Sequence, residues 1–140
     1  MPHLTLEYSA NLGKSGALGA AHPELDFNQL CQSLAHCLIE QQEDGKQIYP
    51  TGGVRVRALA AKHYCIANSI DDGGFVHGTL KIGAGRSEAV KKATGDALFA
   101  VLKQHFAALY LQSGLALSLE IIEVNEAGSW KHNNLHARFR

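Results

Sequence analysis

The sequence predicts an α+β domain of two tandem β-α-β units, folded into one four-stranded sheet with both helices on a single face. Three observations predict it. Stretches of period two and stretches of helical period follow one another along the chain as strand, helix, strand, twice over. The halves share residues at matching places: His3, Thr5 and Leu6 in the first strand line up with His77, Thr79 and Leu80 in a later one. A chain of 140 residues buries roughly two thirds of its unfolded surface, enough for one core without disulfides or a structural metal. The expected organisation is a single domain over 1–140, with repeat one at about 2–60, repeat two at about 75–124 and a C-terminal oligomerisation arm at about 125–140.

The first element is a strand at residues 3–8, where Leu4, Leu6 and Tyr8 alternate with His3, Thr5 and Glu7. Residues 11–24, rich in Gly and Ala and without a period, read as a loop. Asp26 then caps a helix in which Phe27, Leu30, Cys31, Leu34 and Leu38 recur at three- and four-residue steps. Gln29 stands three residues after Asp26, as in a capping box, and the helix is expected to end near residues 43–45. In the next strand Val54, Val56 and Ala58 alternate with Arg55 and Arg57, so one face is apolar and the other carries two guanidinium groups. Residues 63–67 extend that strand or form another, and NSIDDGG at 68–74 is a turn. The second unit has a strand at 75–83 and a long helix capped by Ser87, with Val90, Ala93, Ala97, Val101, Leu102, Phe106 and Leu109 in one stripe. A β-prone strand at 116–124 completes it.

Right-handed crossovers put both helices on the same face of the sheet and leave the other face in need of a cover. With no third helix, that cover is expected to be another copy of the chain. The tail GSWKHNNLHARFR is expected to form a short hairpin or an arm extending a neighbour's sheet.

Lysine and arginine number 13, aspartate and glutamate 13. A net charge of zero offers no field for extended binding to nucleic acid or to an anionic membrane, so any preference for anions rests on a few local cations. Cys31, Cys37 and Cys65 are odd in number and lack CxxC spacing, which suits reduced, mostly buried thiols. No stretch approaches the eighteen or so apolar residues of a membrane span, and the amino terminus has neither a basic region nor a long apolar run. These features place the expected protein in the cytoplasm.

Pro2 is the first candidate for chemistry. Initiator methionine is normally removed before proline, and the secondary amine so exposed at the start of a strand is a base whose pKa falls from about 8 in an apolar, cation-rich surround. The alternative is that proline here reflects processing alone. Arg86, in KIGAGRSEA, follows a strand and directly precedes the Ser87 cap, where backbone N–H groups and the helix dipole favour an anion. Its guanidinium adds a bidentate carboxylate clamp there, the alternative being a solvated loop arginine. Arg55 and Arg57, about 7 Å apart by the strand rise, suit a dianionic substrate; the alternative is an exposed strand face on which they pair with Glu7 or Glu120.

Other motifs fail on inspection. Gly13-Lys14-Ser15 has Tyr8 where a phosphate loop needs its first glycine, and Gly83-Ala84-Gly85-Arg86 lacks the third glycine of a dinucleotide fingerprint. His132 and His136 are four apart but stand without the other ligands of a metal site, and none is expected. His3 and His77, at equivalent strand positions, read as hydrogen-bonding residues of the sheet.

The constellation resembles the tautomerase superfamily and, more closely, the 5-carboxymethyl-2-hydroxymuconate isomerase family. The resembling segments are Met1-Pro2-His3, GVRVR at 53–57, FVHGTLKIGAGRS at 75–87, HFAAL at 105–109, ALSLEIIE at 116–123 and WKHNNLHARF at 130–139. The resemblance implies a β-α-β-β-α-β subunit in a homotrimer and a cofactor-independent, metal-free isomerase of aromatic-compound catabolism. Its substrate would be a 2-hydroxymuconate-type dienol with two or three carboxylates. Pro2 would move a proton from the dienol hydroxyl to a distant carbon, Arg86 would polarise the developing oxyanion, and Arg55, with Arg57 beside it, would hold carboxylate. Counted from the strand starts, Pro2 corresponds to Val76 and Arg86 to Leu12, so each repeat keeps one functional residue. Residues 12–24 and 58–69 follow the family pattern less closely and are expected to line the pocket. Two other readings stand beside the isomerase: a promiscuous or non-catalytic carboxylate-binding protein of the same fold, and an assembly protein whose arginines make interface ion pairs.

Overall fold

The computed structural model describes residues 1–139. Its sheet is built from β1 (His3–Ser9), β4 (Arg55–Ala61), β5 (Gly73–Gly83) and β6 (Gly114–Val124), in the order β4-β1-β5-β6. β1 runs parallel to β4 and β5 parallel to β6, while the central β1–β5 pair is antiparallel. Thr5 pairs with Thr79 at the centre of that pair. These two are the counterparts expected from the sequence repeat, so the two β-α-β units are related by a local twofold axis between them.

Helices α2 (Phe27–Ile39) and α3 (Glu88–His105) lie on one face of the sheet, as right-handed crossovers require. Leu4 and Leu6 of β1, Leu80 and Ile82 of β5, Leu30, Leu34 and Leu38 of α2, and Leu98 and Leu102 of α3 have no exposure and form the core between the layers. Both helix starts are capped as expected. The Asp26 carboxylate accepts from the Gln29 N–H at 3.1 Å, and the Ser87 hydroxyl from the Val90 N–H at 3.1 Å.

Several expectations change. The first helix stops at Ile39 rather than near 43–45, because a two-stranded hairpin, β2 (Gln42–Glu43) with β3 (Lys46–Gln47), follows. Its turn residues Asp44 and Gly45 have φ of 51° and 75°, the left-handed pair that a two-residue hairpin demands. The loop at 11–24 contains the five-residue helix α1 (Ala17–Ala21). Residues 63–67 form no strand. The backbone bends there, with Ala67 at φ 51°. The buried stripe of α3 is Val90, Thr94, Leu98 and Leu102, and the alanines expected in it stand to one side. A polar Thr94 fits the core because its hydroxyl meets the hydroxyl of the buried Tyr49 at 2.9 Å. The long second helix breaks at Phe106, and α4 (Ala107–Gln112) leads into β6. Of the three thiols, Cys31 and Cys37 are half-buried and Cys65 is exposed, so the expectation of mostly buried thiols holds only in part. No helix among the described residues is long and apolar enough to cross a membrane.

The other sheet face carries a polar pattern that follows the same twofold. His3 meets Arg57 at 3.3 Å, and at the equivalent place His77 meets Glu120 at 3.3 Å and Ser118 at 2.6 Å. The described part of the tail holds no strand. It runs back across its own subunit, and one turn, His136–Phe139, lies against Thr51–Gly53. Arg140, the last residue of the expected arm, lies outside the described residues.

Candidate active site

The entrance to β1 fixes the amino terminus. Pro2 is buried, and its carbonyl accepts from the backbone N–H of Arg55 at 3.1 Å, which ties the chain start to the start of β4. Arg86 comes to the same place from the end of β5. Gly85, at φ 108°, makes the turn that β-carbon-bearing residues resist. The Arg86 guanidinium donates to the carbonyls of Gly83 at 3.1 Å and Ile48 at 3.4 Å and lies 4.8 Å from the ring centre of Tyr49. Tyr49 is buried and anchored by Thr94, so the platform beneath Arg86 is rigid.

These groups meet at an open cavity of about 610 Å³, lined by Met1, the β2–β3 hairpin, Ile48, residues 83–86, Glu126 and Lys131. The terminal amine, carried here by Met1, is pushed below its ordinary value by burial first, then by the charges of Lys131, Arg86 and Arg55. A second cavity, about 650 Å³, opens between α3 and β6, but its charges satisfy one another: Lys91 pairs with Glu123 at 2.6 Å and Lys92 with Asp96 at 3.0 Å.

The sequence candidates divide. Arg86 lines the cavity, and Pro2 lies buried directly behind Met1, which lines it too. Arg55 stands behind the amino terminus, its guanidinium donating to the carbonyls of Gly52 at 2.9 Å and Val54 at 3.3 Å. Neither Arg55 nor Arg57 pairs with Glu7 or Glu120; within the subunit Arg57 stays on the open sheet face, bonded to His3, away from the cavity. The loops at 12–24 and 58–69 do not line this cavity either. They lie toward the far end of β1 and β4, where Asn11, Ala17, Tyr64 and Cys65 border a separate hollow.

Lys131 is the residue that sequence reasoning missed as a site member. The tail brings it there through Asn133, whose side-chain amide donates to the Met1 sulfur at 3.2 Å and to the Gly52 carbonyl at 3.3 Å. His136 packs directly on Gly52, where a β-carbon would come within 2.7 Å of its Cα. The signal available was the KHNN run, an odd cluster of hydrogen-bonding side chains for a free tail.

A titratable amine held among cations can take up and release a proton and can bind an anion, without a covalent step. On a twofold-repeated β-α-β sheet that is the chemistry of the tautomerase class of isomerases. Comparison with known proteins narrows it further. Residues 2–139 match the family model for 5-carboxymethyl-2-hydroxymuconate isomerase. A 5-carboxymethyl-2-hydroxymuconate Delta-isomerase of Escherichia coli is 37% identical over 140 residues, covering 100% of both chains. The crystal structure of a 5-carboxymethyl-2-hydroxymuconate isomerase from Deinococcus radiodurans R1 superposes with a TM-score of 0.85 at 49% identity, over 99% of this chain and 94% of that one. A fused 4-OT symmetric trimer, at 16% identity and a TM-score of 0.55, covers 98% of this chain and 99% of its own and shares the fold. The chain belongs to the 5-carboxymethyl-2-hydroxymuconate isomerase family.

Proposed function

We propose that this isomerase converts the dienol 5-carboxymethyl-2-hydroxymuconate to its conjugated keto form, with the nitrogen of Pro2 as the base. One observation carries the reading: Met1, directly before the buried Pro2, shares a cavity with Arg86 and Lys131, so a terminal amine whose proton affinity burial and these cations lower stands beside cations able to hold an anion.

The reaction balances within the substrate. With Met1 removed, the Pro2 nitrogen takes the proton of the 2-hydroxyl and the O–H pair becomes part of the C2=O bond. The C2=C3 pair moves to C3=C4, and the C4=C5 pair takes a proton from the prolinium at C5. Charge develops on the substrate oxygen between these transfers. Arg86, held on Tyr49 and two carbonyls with its other donors free, is preorganised to meet it, an arrangement that contributes several kcal/mol in comparable sites. A positioned base adds about a hundred- to ten-thousandfold in rate. Arg55, its guanidinium tied to backbone carbonyls, acts by its charge and by holding the Pro2 carbonyl.

The assembly we infer is a homotrimer, supported by the open, polar sheet face and the trimeric 4-OT relative of the same fold. Work in the cytoplasm suits the three free thiols.

The test is ultraviolet-monitored ketonisation by untagged protein whose mass proves methionine loss. Pro2→Ala is expected to lower turnover at least about a hundredfold, and protein that retains Met1 is expected to be inactive. Full activity in either would overturn the assignment of the base.

A further inference from the structure

Arg86 and Arg55 are two guanidinium groups, whereas the proposed substrate carries three carboxylates, two on the muconate chain and one on the carboxymethyl branch. A third carboxylate entering this cavity must find a cation of its own or lose its hydration without compensation. Among the described residues, three groups of positive charge line the cavity besides the chain terminus: Arg86, Lys46 and Lys131. Lys46 stands in the exposed hairpin, next to the acidic Glu43 and Asp44. Lys131 has a different setting. Asn133, two residues on, is bonded to both Met1 and Gly52, and the carbonyl of Gly52 also accepts from Arg55. A single backbone carbonyl thus fastens the tail and an arginine of the site together, and the chain start is fastened to both.

We infer that Lys131 is a substrate-binding residue, held at the cavity by the Asn133 clamp, and that it takes the carboxymethyl carboxylate and so selects a tricarboxylate over a dicarboxylate. The inference deepens the proposed function and rests on it. The clamp survives methionine loss through its Gly52 arm, and Lys131, exposed on the cavity lining, has its ammonium open to a carboxylate that enters from solvent. A charged hydrogen bond there is the kind that gives discrimination of tenfold or more.

Lys131 acts on the terminus as well, since its charge stands after burial among the causes that hold the amine low. The charged and titratable groups around that amine are Arg86 from the end of β5, Arg55 and His3 from the sheet, Glu43, Asp44 and Lys46 from the hairpin, and Glu126, Lys131 and His136 from the tail. Removing Lys131 leaves three carboxylates at the rim and raises the amine.

The experiment compares kcat and KM for 5-carboxymethyl-2-hydroxymuconate and unbranched 2-hydroxymuconate in wild-type, Lys131→Met and Lys131→Arg proteins. Lys131→Met is expected to raise KM for the branched substrate about tenfold or more, to change that for the unbranched one less than about threefold, and to move the acid limb of kcat/KM to higher pH; Lys131→Arg restores both. An unchanged ratio between the substrates overturns the inference, whether both constants fall or neither does. Titration with two unreactive probes, propane-1,2,3-tricarboxylate and glutarate, separates this from failure of the proposed function. A preference for the tricarboxylate that Lys131→Met abolishes supports the subsite even in a protein that turns over neither muconate, and equal binding of the two probes by wild-type protein overturns it.

Discussion

At the scale of single residues, the surroundings make a proton unwelcome on the chain terminus, carried here by Met1. Burial disfavours the ammonium form, and Lys131, Arg86 and Arg55 repel it in that order. In the proposed reaction the neutral amine is the base, so a lowered pKa would keep it available further into the acid range, and taking away a cation would have the opposite effect. Arg86→Ala is expected to move the acid limb of the kcat/KM profile upward in pH and to lower the plateau at least about a hundredfold through the lost oxyanion contact. A pH series on the variant checks both at once. An unmoved limb with a lowered plateau would mean that Arg86 binds substrate without tuning the base. His3 is also pushed down, by burial and then by Arg57, Arg55 and the terminus, so it stays neutral beside Arg57 and accepts its hydrogen bond.

At the scale of elements, the site is a junction of chain ends. β1 contributes its first residues, β4 the backbone that grips Pro2, the turn after β5 the arginine, and the tail the clamp. The turn Thr51–Gly53 is the shared floor, and Gly52 is where a side chain cannot be accepted, since a β-carbon would lie 2.7 Å from the Cα and 2.8 Å from the backbone nitrogen of His136. Gly52→Ala is therefore expected to lift the tail and to lower kcat/KM about ten- to a hundredfold, because small misplacements of binding groups carry penalties of that size. Limited proteolysis should then cut the tail in the variant while the wild-type tail resists. A tail that remained protected, with normal turnover, would show that the clamp is not needed for activity.

At the scale of the molecule, the helices cover one sheet face and leave the other open, and the proposed trimer would cover it. The pairs His3–Arg57 and His77–Glu120 occupy equivalent places about the local twofold and carry opposite charges, cation at one and anion at the other. Copies that bring the β4 edge of one sheet toward the β6 edge of the next would set those charges against each other, a head-to-tail contact of the kind from which a cyclic trimer is built. Sedimentation equilibrium of the native protein is expected to give three times the monomer mass. A single copy at micromolar concentration would refute the trimer.

The core, the caps and the repeat were legible in the sequence because they rest on local physics: alternation in β1 and β5, the Asp26 and Ser87 caps, and the counterparts Thr5 and Thr79. Pro2 and Arg86 could be proposed from the sequence because one sits at a chain end and the other at a helix start, places where chemistry is read without knowing the neighbours. The end of the first helix was misjudged because the Asp44-Gly45 turn, with two left-handed residues, outweighs the helix-tolerant residues before it. Thr94 was passed over for the alanines because a hydroxyl enters a core only when a partner such as Tyr49 arrives from a distant segment. What tertiary structure alone decided is the separation of Arg55 from Arg57 and the recruitment of Lys131. The first depends on the pairing of β1 with β4, which sets His3 beside Arg57; the second depends on how the tail folds over Gly52, a contact between residues more than eighty apart in sequence that no local period encodes.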